Sequence, residues 1–387
     1  MRVLIVDDGY SRGAVTAVRS LARAGWSVAV GSPGSLGPAA ASRHAGARHD
    51  VPPAAADPER FLERVRRAIA AGAYDVVLPT GDAELLALSA ARDSLAARFP
   101  YAAHPVVERA LDKLELGRAA AAAGLDVPQT MDPEAAANAL GERPVIVKAR
   151  RHWTAGDGPR PSRLEAAPAR GPTAIRSLAD AIRAAGGEPF VQPFIAGTLL
   201  AYVALVDQEG RVRAELQQEA LRVCPPDAGT SARARTVPVD PRLAGPARRM
   251  LAGLGWFGVA ELQFVRDDAG RTYLVDLNGR VYGSLALAAA AGLDLPAAWL
   301  ALATGGPVPP LRPAAVGVRY QWLEGDLRRA RLERRGGLAR DVLGCLAFAP
   351  GAAHSLLSVS DPGPAMHRGR AVVAHLLRGR AGSRRAG

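Results

Sequence analysis

The stretch GVAELQFVRDDAGRTYLVDLNGRVYGS, residues 258–284, decides how the rest of the chain is read. GVAELQFV is short, apolar and alternating, DDAG is turn chemistry, and RTYLVDLN is again apolar and β-branched, so the stretch predicts two strands and a tight turn. With a four-residue turn at 267–270, Arg266 faces Arg271 and the ladder sets Glu261 opposite Asp276. Asn278 lies on the same face two residues further on, and Arg280 two beyond that. Two facing carboxylates repel unless a divalent cation sits between them, with Asn278 as a third oxygen donor. Oxygen ligands suit a hard ion such as Mg²⁺ (or Mn²⁺), completed by phosphates and water. The alternative is an exposed hairpin with an acidic outer face.

Glu261 followed by the D-L-N-G-R run of residues 276–280 resembles the metal-binding end of ATP-grasp enzymes, whose usual pattern is Glu, then Glu-x-Asn-Pro-Arg. Two positions depart from it. Asp276 is one methylene shorter than the usual Glu, which would shift the ion or weaken one of two metal sites. Gly279 replaces the usual Pro, which would loosen the turn that aims Arg280.

Composition bounds the alternatives. The 387 residues suffice for two or three packed units, and 49% hydrophobic content excludes a disordered chain. The net charge of +12 raises a nucleic-acid reading, but the cations are spread along the chain and only LLRGRAGSRRAG at the C-terminus forms a basic tail. A solvated basic surface is therefore preferred. Cys224 and Cys345 form neither a zinc pattern nor a disulfide framework and read as inert thiols. MRVLIVDDGY is too short for a signal peptide and fits a first core strand, and no run approaches eighteen apolar residues, so nothing spans a membrane. A cytoplasmic protein is the default.

Of 49 basic residues only Lys113 and Lys148 are lysine, and the only asparagines are Asn138 and Asn278. A chain that writes nearly every cation as arginine has kept two compact ammonium groups, which do a different job from a planar fork. PVIVKAR, residues 144–150, is a strand with Lys148 in its interior, where an ammonium needs an anionic partner. Lys113 lies in ERALDKLELGRAAAAAGLDVPQT, residues 108–130, read as one helix closed by Gly124. Its alternative is a surface ion pair with Glu108 or Asp112.

Along the chain, residues 1–105 read as a Rossmann-like βα unit. Gly9 and Gly13 stand in the first loop, but the full G-x-G-x-x-G is missing and no acid ends the second strand. Close helix packing is therefore preferred over dinucleotide binding. Helix 57–71 has Pro58 just inside its start, and Asp82 and Glu84 follow a strand end, as first-turn acids of a helix or as substrate contacts. Residues 152–173 are Gly-, Pro- and Arg-rich and read as a lid, with helix 177–185 after them. LLAYVALVDQEGRVRAELQQEALRV, residues 199–223, is a hairpin turning at Gln208-Glu209-Gly210.

The D-K-x₆-A-x₃-G-L-x-V-P-x-T layout of residues 112–130 resembles the opening of the ATP-grasp region. The resemblance covers roughly residues 1–305 and implies an α/β protein: a Rossmann-like domain at 1–105, an ATP-grasp fold of two α+β subdomains at 106–305, and a C-terminal appendage at 306–387. It implies that Lys113 and Lys148 hold ATP phosphates, that Glu261, Asp276 and Asn278 hold Mg²⁺, and that Arg280 stabilises the transferring phosphoryl group. EPFVQPFIAG resembles the hinge near 190–197, where adenine docks on backbone: Gln192 starts it, the Pro193 carbonyl accepts, Phe194 packs and the Ile195 amide donates. Arg233 and Arg235 would meet phosphate or substrate, and Trp322, Asp326 and Asp361 would line the substrate side. The implied activity is that of a carboxylate–amine ligase similar to one half of carbamoyl phosphate synthase, acting on a small-molecule carboxylate and amine. An ATP-binding module without turnover is the alternative, and a nucleic-acid binder ranks third. Oligomeric state is open, a homodimer included.

Overall fold

The computed structural model describes residues 1–152, 164–226, 229–334 and 336–383. Its first layer is a parallel sheet built from β1 (Arg2–Val6), β2 (Ser27–Ser32), β3 (Ala47–Asp50) and β4 (Val76–Pro79), in the order β3-β2-β1-β4. The three helices of this layer are α1 (Arg12–Arg23), α2 (Pro58–Gly72) and α3 (Asp82–Ala90). Covered on both faces, β1 and β4 read as unbroken aliphatic runs rather than alternating ones. Gly13 has the close-packing role: a Cβ there would stand 2.5 Å from the Tyr282 carbonyl oxygen, so α1 docks directly on the segment that follows the 258–278 hairpin.

Residues 108–123 do not form one helix. α4 (His104–Leu111) ends and α5 (Lys113–Ala122) begins at Asp112, whose buried carboxylate accepts from the amides of Leu114 and Glu115. The stop and restart come from this cap: its φ/ψ are extended, and its second oxygen accepts from Arg150 Nε at 2.7 Å. The break fixes Lys113 at the first position of α5.

A small antiparallel sheet follows: β5 (Val145–Ala149) lies between β6 (Ala167–Ala169) and β7 (Pro189–Pro193). α6 (Pro133–Leu140) and α7 (Gly171–Ala184) cover it over a separate core of Ala136, Val145, Val147, Ile175 and Val191. α7 starts six residues before the expected helix, with Pro172 in its first turn.

The largest sheet orders its strands β12-β11-β8-β9-β10-β13-β14. They are β8 (Thr198–Val206), β9 (Val212–Cys224), β10 (Thr230–Val237), β11 (Gly258–Arg266), β12 (Thr272–Asn278), β13 (Arg319–Gln321) and β14 (Ala352–Ala353). The expected turn at Gln208–Gly210 joins β8 to β9, closed by Asp207 N donating to the Arg211 carbonyl. α8 (Pro241–Leu254), α9 (Leu285–Ala290) and α10 (Leu295–Thr304) pack their apolar residues into a core shared with the first sheet. The chain then adds α11 (Leu323–Glu333), α12 (Leu338–Phe348) and α13 (Gly363–Ser383). Rather than only packing against the core, this last segment extends the large sheet through β13 and β14.

The β11–β12 register differs from the expected one. The loop is five residues, 267–271, so Arg266 pairs with Thr272 rather than Arg271. A bulge at Val275 then displaces the ladder again, pairing Gln263 with Asp276 and Glu261 with Asn278. Two one-residue displacements restore parity, so Glu261, Asp276 and Asn278 do share a face although Glu261 and Asp276 are not opposite.

Candidate active site

Glu261 is buried mid-strand, with β8 on one side and β12 on the other. Its carboxylate accepts from Asn278 Nδ2 at 2.8 Å, Gln263 Nε2 at 3.2 Å and Gln218 Nε2 at 3.3 Å. Burial pushes its pKa up, against the lowering effect of these amides and of Arg280. A buried carboxyl held by neutral donors alone is one that a cation would relieve.

Asp276 turns the other way along the same face. Its oxygens lie 4.0 Å from Lys113 Nζ and 3.7 Å from His152 Nε2. Burial raises its pKa, but Lys113, His152 and Lys148 outweigh that and hold it below the ordinary carboxylate value. Lys148, 8% exposed, donates to the Val275 carbonyl at 3.4 Å. Burial pushes its pKa down to about 8, with Asp276 opposing and Lys113 reinforcing the drop. Lys113 therefore meets neither Glu108 nor Asp112 as an ion-pair partner; α5 delivers it to Asp276.

Both lysines line a cavity of about 460 Å³, walled also by Leu116, Val127, Phe190, Gln192 and Leu274. Gln192 donates to Thr130 Oγ1 at 3.2 Å. Pro193, Phe194 and Ile195 are not on its wall, and the Phe194 amide donates to the Pro144 carbonyl at 3.0 Å. Most of the expected lid, residues 153–163, lies outside the described residues.

Arg280 is half-buried, and each guanidinium nitrogen is engaged. Nε and Nη2 fork onto Asp82 at 2.9 and 3.3 Å, Nη2 also donates to Asn278 Oδ1 at 2.9 Å, and Nη1 reaches the Val281 carbonyl at 3.3 Å. Burial lowers its pKa, but Asp82 more than compensates. Asp82 is thus a first-turn acid of α3 whose carboxylate holds Arg280 across the two large sheets. Gly279 does not loosen this turn: the Trp256 ring fills the space, 2.3 Å from where a Cβ would be.

Five residues expected to meet phosphate or substrate have partners within the protein. Asp326, fully buried, takes Arg222 at 2.9 Å and Arg233 at 2.6 Å, while Arg235 pairs with Glu219. Asp361 accepts from Arg19, Ser42 Oγ and the Arg43 amide, tying the C-terminal segment to the first layer. Trp322 stacks under the Arg12 guanidinium at 3.8 Å. Both cysteines are buried and free. Sequence reasoning missed Gln218, Gln263 and the place of His152; Gln263 was findable, two residues from Glu261 on the same strand face.

Among the described residues no three His, Cys, Asp or Glu side chains gather into a metal cage. Two carboxylates and an amide on one face nevertheless fit Mg²⁺ or Mn²⁺, which keeps water and phosphate oxygens in its shell.

A parallel βα layer, a small antiparallel sheet and a large one, with charged side chains of all three converging on one cleft, make the ATP-grasp fold. Residues 196–326 match the family model described as ATP-grasp in the biosynthetic pathway with Ter operon. Similar solved structures include a biotin carboxylase–β-γ-ATP complex from Campylobacter jejuni, 17% identical with a TM-score of 0.64, covering 82% of this chain and 74% of that one. An ADP complex of N5-carboxyaminoimidazole ribonucleotide synthetase is 13% identical with a TM-score of 0.61, covering 82% and 80%. An L-amino acid ligase from Bacillus licheniformis is 17% identical with a TM-score of 0.59, covering 79% and 75%. No curated protein sequence matches the chain.

Proposed function

We propose that the chain is a cytoplasmic, ATP- and Mg²⁺-dependent ligase that joins a small carboxylate to an amine. The observation that carries the reading is the convergence of both lysines on one cavity, beside Asp276. The carboxylate oxygen attacks the γ-phosphorus, the bond to the ADP oxygen breaks, and an acyl phosphate results. The amine nitrogen then attacks the carbonyl carbon, phosphate leaves with the bonding pair, and the nitrogen loses a proton. Such chemistry rests on placement and charge neutralisation, so it asks for no Ser, Cys or His nucleophile. Lys113 and Lys148 hold phosphate oxygens, and Gln192, on the same cavity wall, stands on the adenine side. Arg280, held by Asp82, sets a fixed positive charge beside the transferring group. Mg²⁺ held by Glu261, Asp276 and Asn278 would neutralise phosphate charge. The similar structures crystallised with ATP-type ligand or ADP, and the one named a ligase, support the reading.

The second reading, nucleotide binding without turnover, is favoured by the full engagement of Arg280 and the short Asp276. Screening acid and amine pairs for ADP release separates the two. The ligase reading expects ADP and phosphate in equal amounts only when both substrates are present; ATP binding with no ADP from any pair favours the second. A nucleic-acid binder would instead show steeply salt-dependent affinity for DNA or RNA.

A further inference from the structure

α12 carries two apolar faces where a surface helix needs one. Its inner face is made by Asp341, Cys345 and Phe348: Cys345 is fully buried, and the Phe348 ring lies under Arg233 at 4.6 Å and Arg319 at 5.0 Å. On the other side, Ala339, Val342, Leu343 and Leu346 stand at i, i+3, i+4 and i+7, the spacing of a core-facing stripe, yet Leu343 is 64% and Leu346 51% exposed. Leu338 and, at the end of α11, Leu332 are exposed as well. Arg331, Arg334 and Arg340 are exposed around it, and none has an acidic partner among the described residues. Beyond Asp361 the sequence to Gly387 contains no Asp or Glu, but includes Arg368, Arg370, Arg378, Arg380, Arg384 and Arg385.

An apolar stripe left in water is a docking surface, and its rim selects the occupant. A second copy meeting face to face across a two-fold axis would bring the three arginines against their own mates. Nucleic acid would use the arginines and leave the leucines in water. An anionic lipid surface takes both, the aliphatic side chains entering the acyl boundary while guanidinium groups meet headgroup phosphates.

We propose that α12 lies on anionic lipid surfaces, with Leu343 and Leu346 inserted and Arg331, Arg334 and Arg340 on the headgroups. No described helix is long and apolar enough to cross a membrane, so the contact is peripheral. It stands whether or not the ligase reading holds.

The test is co-sedimentation of the full chain with vesicles of phosphatidylcholine, with and without phosphatidylserine. Binding is expected only where phosphatidylserine is present. L343E/L346E should weaken it more than about tenfold, and R334Q/R340Q about fivefold per arginine. All four positions face solvent, so melting temperatures should be unchanged; if L343E/L346E misfolds, R334Q/R340Q decides. Equal binding to both vesicle types, no binding, or binding that survives these substitutions overturns the proposal. So does a dimer abolished by L343E/L346E without vesicle binding, which assigns the stripe to a second copy. RNA affinity that depends on the arginines alone, without vesicle binding, overturns it in favour of nucleic acid.

Discussion

Gly279 is the position in the site with least room for a side chain. A Cβ there meets the Trp256 ring, which is 1% exposed and cannot retreat, so Gly279→Ala should destabilise the protein by roughly 1–3 kcal/mol as an overpacking change. Thermal unfolding checks it; an unchanged melting temperature would mean the ring is free to move. The residue also marks the limit of reading at this scale. Its departure from the usual proline is plain in the sequence, but whether the gap is slack or filled depends on Trp256, 23 positions away. Lys148 shows the opposite case. Its rarity and its place inside a strand singled it out, and it lies buried beside a cavity. The partner of Arg280 was half legible: Asp82 follows a strand end, but nothing local says that its carboxylate faces a residue 198 positions on.

At the scale of elements, the hairpin and the α4–α5 break set the geometry. The alternation of β11 and β12 shows which residues share a face, because parity survives an even number of slips. Pairing partners do not survive, since neither the fifth loop residue nor the Val275 bulge leaves a sequence signal as strong as the apolar period. The α4–α5 break was hidden because Asp112 reads equally well as a helical surface acid. Its side chain both caps α5 and neutralises Arg150, so Asp112→Ala should cost about 2–4 kcal/mol, one cap plus an ion pair of which one partner is buried. It should also reduce ATP affinity, because Lys113 begins the capped helix. Denaturant melts and calorimetry read the two effects separately; wild-type stability would show that the cap is dispensable.

Across the whole molecule, the βα units of the first layer and the β8–β9 and β11–β12 hairpins were legible in the sequence, while the small antiparallel sheet showed only its central strand β5. The incorporation of β13 and β14 into the large sheet was not legible, since strands of three and two residues carry no period. The cross-sheet ties through Asp82 and Asp361 were equally invisible, being single residues chosen by tertiary position. One global consequence concerns Glu84, buried beside the first sheet. Burial raises its pKa from 4.5 to about 7, with Asp8 and Asp82 contributing. A carboxyl raised in the folded state binds its proton more tightly there, so its stabilising effect is present below pH 4.5 and is lost as pH rises through about 7. Glu84→Gln should therefore be more stable than wild type at pH 8, by up to ~3 kcal/mol, with the gain vanishing near pH 4. Parallel pH–stability curves for the two proteins would contradict this. The central claim is that both lysines and the acidic hairpin face form one nucleotide–metal site. Calorimetry of ATP binding with and without Mg²⁺, on wild type, Lys148→Ala and Asp276→Asn, tests it most directly. Binding should depend on Mg²⁺ and weaken by about tenfold or more on either substitution, each of which removes a charge from the site. Wild type that binds no ATP in the presence of Mg²⁺ would contradict it.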